Sequence, residues 1–208
     1  MVFTKNGQAQ LIEFCIKLEI VMEYYKSDLI ASLEKDVQEV LDTAKHLSNL
    51  PSIDINTRPD EKSWSVAEIL AHLNFYCAHY LPLIDLQLKT APPSQKNNFK
   101  SGWLGNYFTN IMKPRADLSI PSKMKSPTNA IPPKEVDASK ALLDFIAYQE
   151  QTIQLLNKSK QVDLQRIKIA TSLSKLIKLS LGDTFRFFIA HQQRHFIQIN
   201  RTLERVRK

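Results

Sequence analysis

Apolar residues in this chain recur at spacings of three and four almost from end to end, a periodicity that admits little besides long amphipathic helices. Leu29, Leu33, Val37, Val40, Ala44 and Leu47 fall on one stripe of a helix over about residues 22–48. Pro51 and the stretch SIDINTRPD end it. A second helix announces itself at Ser65, with Glu68 three residues on. That pair forms a capping box, in which two side chains satisfy each other's free N–H groups. The helix should run from about Val66 to Leu88. Pro82 lies inside it, and its missing N–H predicts a kink or break near Tyr80–Leu81. A third helix is expected from Val136 to Lys158, with Asp137 as its N-cap. The fourth is expected from Thr184 to Val206, capped by Asp183, whose charge suits the positive end of the helix dipole. Between these two, RIKIA (166–170) and KLIKLSLG (175–182) alternate apolar with polar residues and predict extended chain around a short turn.

Four helices of roughly 22–27 residues, each about 33–40 Å long, are a matched set. The expected fold is therefore all-α, a four-helix bundle. Residues 90–135 hold seven of the ten prolines and read as a long connection between helices two and three. Such a connection lets those two helices run parallel, giving an up-down-down-up order. Inside it, FKSGWLGNYFTNIM (99–112) carries enough aromatics to dock on the body as one short helix. Residues 22–208 form the bundle domain and residues 1–21 an N-terminal extension.

Only four glycines occur, and neither G-x-G-x-x-G nor G-x-x-x-x-G-K-[ST] is present, which removes the common phosphate-binding loops. Cys15 and Cys77 sit in apolar runs, too few for a disulfide framework and without a C-x-x-C pair. No apolar stretch reaches the length of a membrane span. The segment 11–22 carries Glu13, Lys17 and Glu19 and lacks the marks of a signal peptide. A cytoplasmic, reducing location is the expectation, with no membrane partner. The net charge of +7 is uneven: residues 1–88 sum to −6, 89–135 to +6, 136–157 to −2 and 158–208 to +9. A basic half invites nucleic acid as a partner, but no basic-aromatic recognition module is visible. The simpler expectation is that acidic and basic helices face each other.

Five histidines are the informative residues. His191 and His195 are four apart in a helical segment, so their rings share a face with Cβ atoms about 5–6 Å apart. That spacing suits two imidazoles on one ion, although such pairs are common by chance. Gln192 stands where the zincin motif H-E-x-x-H needs its glutamate, which disfavours a metalloprotease. His72 and His79, seven apart, also share a face, and either can serve a site between helices. His46 reads as a surface residue. Cys77 falls on a different face of its helix from His72.

Two segments, SWSVAEILAHLNFYCAHYLPLI (63–84) and LGDTFRFFIAHQQRHFIQINRTL (181–203), resemble the DinB-like superfamily. Its pattern is W-[ST]-x-x-[EQ]-[IV]-[LI]-x-H-L at the start of one helix and H-x-x-x-H on the last. The resemblance covers about residues 22–206. It implies an up-down-down-up bundle and a divalent metal held by His72, His191 and His195, leaving His79 structural. Zinc or nickel is the first expectation for the ion, with iron or manganese next. Some relatives are metal-dependent transferases for low-molecular-weight thiols such as bacillithiol and mycothiol. Many members carry an acidic residue between the two last-helix histidines, where this chain has Gln192, Gln193 and Arg194.

The resemblance thus implies a metal-dependent enzyme, a thiol S-transferase whose partner is a small thiol or an electrophile. The alternative is a non-enzymatic bundle that binds a metal or small ligand and dimerises, with residues 8–21 suited to a homodimer interface. Arg194 and the basic connection are candidates to receive an anionic substrate. Trp103, Tyr107 and Phe108 are candidates to line the mouth of a pocket.

Overall fold

The computed structural model describes residues 22–120 and 125–208. The extension 1–21, and with it the proposed dimer surface over 8–21, lies outside the described residues. Four long helices carry the fold: α1 (Lys26–Leu47), α3 (Val66–Thr90), α5 (Ala138–Ser159) and α6 (Leu181–Val206). The five-residue α2 (Ser52–Asn56) sits in the first connection, and α4 (Trp103–Met112) in the long one. Two short antiparallel ribbons complete the set. In one, β1 (Glu23–Tyr25) pairs with β2 (Asn98–Lys100), with Tyr24 opposite Phe99. In the other, β3 (Lys168–Ala170) pairs with β4 (Lys178–Ser180), with Ile169 opposite Leu179. The second ribbon is the extended stretch expected from the alternation at 166–182.

The long helices form an up-down-down-up bundle. Each of α1 and α3 packs against both α5 and α6, so α1 and α3 stand diagonally across the core. The stripe of α1 is buried as its spacing predicts, with Leu29, Leu33, Val37, Val40, Ala44 and Leu47 all inside. Helix α3 contributes Ile69, Leu70, Leu73, Cys77, Leu81 and Ile84, none of them more than marginally exposed. This diagonal arrangement sets α3 directly against α6, and it is the packing that matters for the site.

Three local expectations are corrected. Helix α3 runs unbroken through Pro82, whose exposed ring faces solvent; the residue one turn earlier, Ala78, is exposed too. Water can therefore satisfy the carbonyl that the missing N–H leaves, and the helix need not break. Helix α6 begins one turn earlier than expected, and its cap is Ser180, whose hydroxyl accepts from the Asp183 N–H. Asp183 instead sits at the third position of the helix and bonds elsewhere, as described below. Helix α1 starts at Lys26, because residues 23–25 pair with β2. The capping boxes read from sequence at Ser65–Glu68 and the cap at Asp137 are present.

The connection 90–135 is a strap with its own structure. Helix α4 docks on α6, and a 3₁₀ turn at Thr128–Ala130 returns the chain to α3. Asp183 holds the strap. Its carboxylate accepts from Ser101 Oγ (2.6 Å), the Gly102 N–H (2.9 Å), Ser180 Oγ (2.7 Å) and Arg186 Nη1 (3.1 Å). Gly105 passes so close to this group that a Cβ there would lie 2.2 Å from Asp183 Cγ.

The uneven charge resolves into contacts between the acidic front and the basic end of the chain. Lys160 meets Glu34 at 2.8 Å, Arg205 meets Asp60 at 2.6 Å and Arg207 meets Asp54 at 2.8 Å. Among the described residues no helix is long and apolar enough to cross a membrane.

Candidate metal centre

Among the described residues, His72, His191 and His195 form a group able to hold a metal ion, with one ring nitrogen from each all within 4.8 Å of one another. His72 enters from α3, and the other two enter from successive turns of α6. All three are buried. The capping box fixes where α3 begins and so sets the height of His72, two turns above the cap. Glu68 of that box also receives the Arg58 guanidinium, with Nε at 2.8 Å, which ties the loop before α3 to its first turn.

Two of the three rings are oriented by other groups. His72 Nδ1 donates to the carbonyl oxygen of Ala130 at 2.7 Å, and His195 Nδ1 donates to Gln198 Oε1 at 2.9 Å. A neutral imidazole that donates through Nδ1 presents a bare lone pair at Nε2. Hydrogen bonding of the far nitrogen is the usual way a metal-binding histidine is held. The Nε2 atoms of His191 and His195 are 3.1 Å apart. The edge of a tetrahedron drawn with zinc–nitrogen bonds is about 3.3 Å, so the pair is spaced for a shared ion.

The electrostatics suit ligands rather than charged imidazoles. Burial lowers the His72 pKa, against a smaller upward pull from the Ala130 carbonyl. Burial, and then the neighbouring His72, depress His195 to about 3. His191 is held well below its ordinary value by burial and by the two other imidazoles. All three are therefore neutral at pH 7, the form that binds a metal.

Aromatic rings wall the cluster. The Trp64 ring centroid is 5.0 Å from that of His72, and that of Tyr76 is 4.6 Å from that of His191. Burial pushes the Tyr76 phenol up to about 12, so it keeps its proton. The histidines open onto a cavity of about 1070 Å³ between α3, α6 and the strap. Phe108 and Met112 of α4 line it, as do Arg194 and Arg201 of α6, Lys62 and Lys125. No Asp or Glu is among its described lining residues.

The sequence-derived candidates divide accordingly. His72, His191 and His195 come together, and Arg194 lines the cavity, its Nη1 donating to the Ile111 carbonyl at 3.2 Å. Trp103 and Tyr107 do not line the cavity. They lie on the outer face of α4, 67% and 56% exposed, and the aromatic that turns inward is Phe108. His79 bonds the Ala170 carbonyl at 3.2 Å, a structural link from α3 to β3, and His46 is exposed. Cys77 is fully buried and its thiol is pushed up by burial, with Gln192 Nε2 donating to its sulfur at 3.7 Å. Sequence reasoning missed Gln198, although its i+3 spacing from His195 was visible. It also missed the Ala130 carbonyl, which no side-chain pattern marks.

A buried three-imidazole cluster bridging two helices of a four-helix bundle defines the class. The sequence profile of the DinB superfamily matches residues 38–199, and the chain belongs to that superfamily. The fold is similar to that of YfiT from Bacillus subtilis, described as a probable metal-dependent hydrolase with an unusual four-helix bundle topology. The two are 16% identical, with 86% of each chain covered and a TM-score of 0.51. A search of the curated proteins finds no match.

Proposed function

We propose that the protein is a metal-dependent enzyme in which His72, His191 and His195 hold one divalent ion, and that it joins the sulfur of a small thiol to an electrophile. The observation that carries this is the convergence of three neutral imidazoles on a cavity without a described carboxylate. Imidazole donors suit zinc, nickel, iron or copper and do not choose among them. When bound, such an ion supplies Lewis acidity that lowers the pKa of a thiol presented to it.

The chain's own residues supply the rest. Ala130 and Gln198 orient two of the imidazoles, and Trp64, Tyr76 and Phe187 keep the cluster in an apolar wall. Cys77, buried and protonated, is not a nucleophile, so among the described residues no cysteine supplies the reacting sulfur, and a substrate thiol takes that role. In the transfer the thiol releases its proton to solvent water, its sulfur forms a bond to the electrophilic carbon, and the bond from that carbon to the leaving group breaks, the leaving group departing with the electron pair.

Hydrolysis is the second reading, favoured by the description of YfiT. Metal-assisted hydrolysis commonly draws on a carboxylate base, and no such residue is among the described residues lining the cavity. The test is a purified protein loaded in turn with zinc and nickel. It is assayed with a panel of small thiols against a chromogenic electrophile, and separately against ester and amide substrates. Thiol conjugation that needs metal and fails in His72→Ala, His191→Ala and His195→Ala supports transfer. Metal-dependent hydrolysis alone would replace it with the second reading, and stoichiometric metal with no turnover would leave a binding module.

A further inference from the structure

We infer that the cavity binds a small organic anion whose acidic group sits some 9 Å along α6 from the histidines. This rests on the proposed function, since it names the substrate class of the same site. Four cationic side chains reach the cavity from three separate parts of the chain. Lys62 comes from the loop before α3, Lys125 from the strap, and Arg194 and Arg201 from α6. Against these four, none of the described lining residues is acidic, although the chain holds 21 acidic residues beside 28 basic ones.

The carboxylates beside Lys62 do not line the cavity: Glu61 is exposed, and Asp60 is engaged elsewhere. Asp60, two residues before Lys62, accepts from Arg205 at 2.6 Å and from Ser63 at 2.9 Å. Arg201 donates to the Leu118 carbonyl at 3.0 Å, a neutral acceptor that holds the guanidinium against the strap without cancelling its charge. Cations gathered in one concave, partly apolar space raise the local potential and select an anion. Arginine in particular matches carboxylate and phosphate with its planar fork.

Helix geometry then gives a length. Arg194 and Arg201 are seven residues apart and share a stripe of α6. Arg201 follows His195 by six residues, about 9 Å of helix axis. A ligand that reacts at the histidines and carries its acid at Arg201 must cover at least that rise, since six residues also turn Arg201 about 120° around the helix from His195. The same cavity is lined by Trp64, Phe108 and Met112, which would receive an apolar middle.

The test uses the full chain as purified, with its metal content recorded by elemental analysis. Isothermal titration calorimetry compares 4-phenylbutyrate with its neutral amide, and phenyl phosphate serves as a second anion. The expected result is that at least one anion binds about tenfold more tightly than the amide, the scale of one charge-assisted contact. Arg201→Ala and Lys62→Ala, both at exposed positions, should each weaken the anion severalfold and leave the amide unchanged. Stripping any bound metal from the wild-type protein with a chelator should keep the preference, which separates these cations from an ion at the histidines. Equal affinity for anion and amide, no binding of any probe, or a preference that survives both cation substitutions would overturn the inference. Metal present without an anion preference sinks the inference alone. An anion preference in a protein that takes up no metal sinks the functional reading and leaves the inference standing.

Discussion

His72 Nδ1 lies 2.7 Å from the carbonyl oxygen of Ala130, a contact between α3 and the last turn of the strap, 58 residues away in the chain. The bond orients the imidazole, and it also pins the strap over the cluster. Replacing His72 therefore removes a ring nitrogen from the cluster and a tether from the strap. His72→Ala is expected to lose stoichiometric metal in elemental analysis and to open the strap around Ala130 to limited proteolysis. Full metal content in that variant would refute the three-imidazole site.

Gln198 accepts from His195 Nδ1, so its role is to position that ring. Gln198→Leu should lower metal affinity by about 10–100-fold, the usual cost of losing an outer hydrogen bond. Competition with a chromophoric chelator measures it. Gln198→Glu, which restores an acceptor at the same reach, should recover most of the loss. A merely structural glutamine would show no such rescue, and its loss would register in thermal stability instead.

Burial pushes the Glu68 carboxyl upward, but hydrogen bonds from Arg58 and from the Ser65 N–H outweigh it and hold the group below its ordinary value. A carboxylate depressed in the folded state stabilises the protein above its unfolded pKa. It loses that contribution as the pH falls through the lower, folded value. Chemical denaturation from pH 7 down to about pH 3 should thus show wild type losing more stability than Glu68→Gln, across the range near and below the ordinary glutamate pKa of about 4.3. Parallel curves for the two proteins would show that the box does not titrate as described.

The bundle was readable because its signal is local. The stripe on α1 and the capping box at Ser65 are set by residues three and four apart, and such neighbours meet in any helix. His191 and His195 were readable as a pair for the same reason. His72 joined them only through the resemblance, because no spacing within one helix reports which helix stands opposite. The break expected at Pro82 did not occur, since solvent on that face absorbs the cost of the missing bond. Choosing Phe108 over Trp103 and Tyr107 depends on how α4 rolls against α6, and that is decided by Gly105 and Asp183.

Asp183 and Arg186 form a buried pair, 2% and 7% exposed at their side chains, that also takes in Ser101 and the Gly102 N–H. Breaking one member of such a pair leaves an uncompensated charge and typically costs about 3–5 kcal/mol. For a chain of this size each kcal/mol moves the midpoint by about 2–4 °C. Asp183→Ala should therefore lower Tm by roughly 6–20 °C in a thermal melt. The double variant Asp183→Ala/Arg186→Met should be more stable than the single one, because it removes the stranded guanidinium as well. Gly105→Ala tests the same junction from the other side: the added methyl must push α4 away from the carboxylate, a cost of about 1–3 kcal/mol. Since α4 carries Phe108 and Met112, that displacement should also weaken ligand binding in the cavity while metal content stays at wild-type level. A Gly105→Ala protein with unchanged Tm and unchanged ligand affinity would show that the strap is not seated on Asp183.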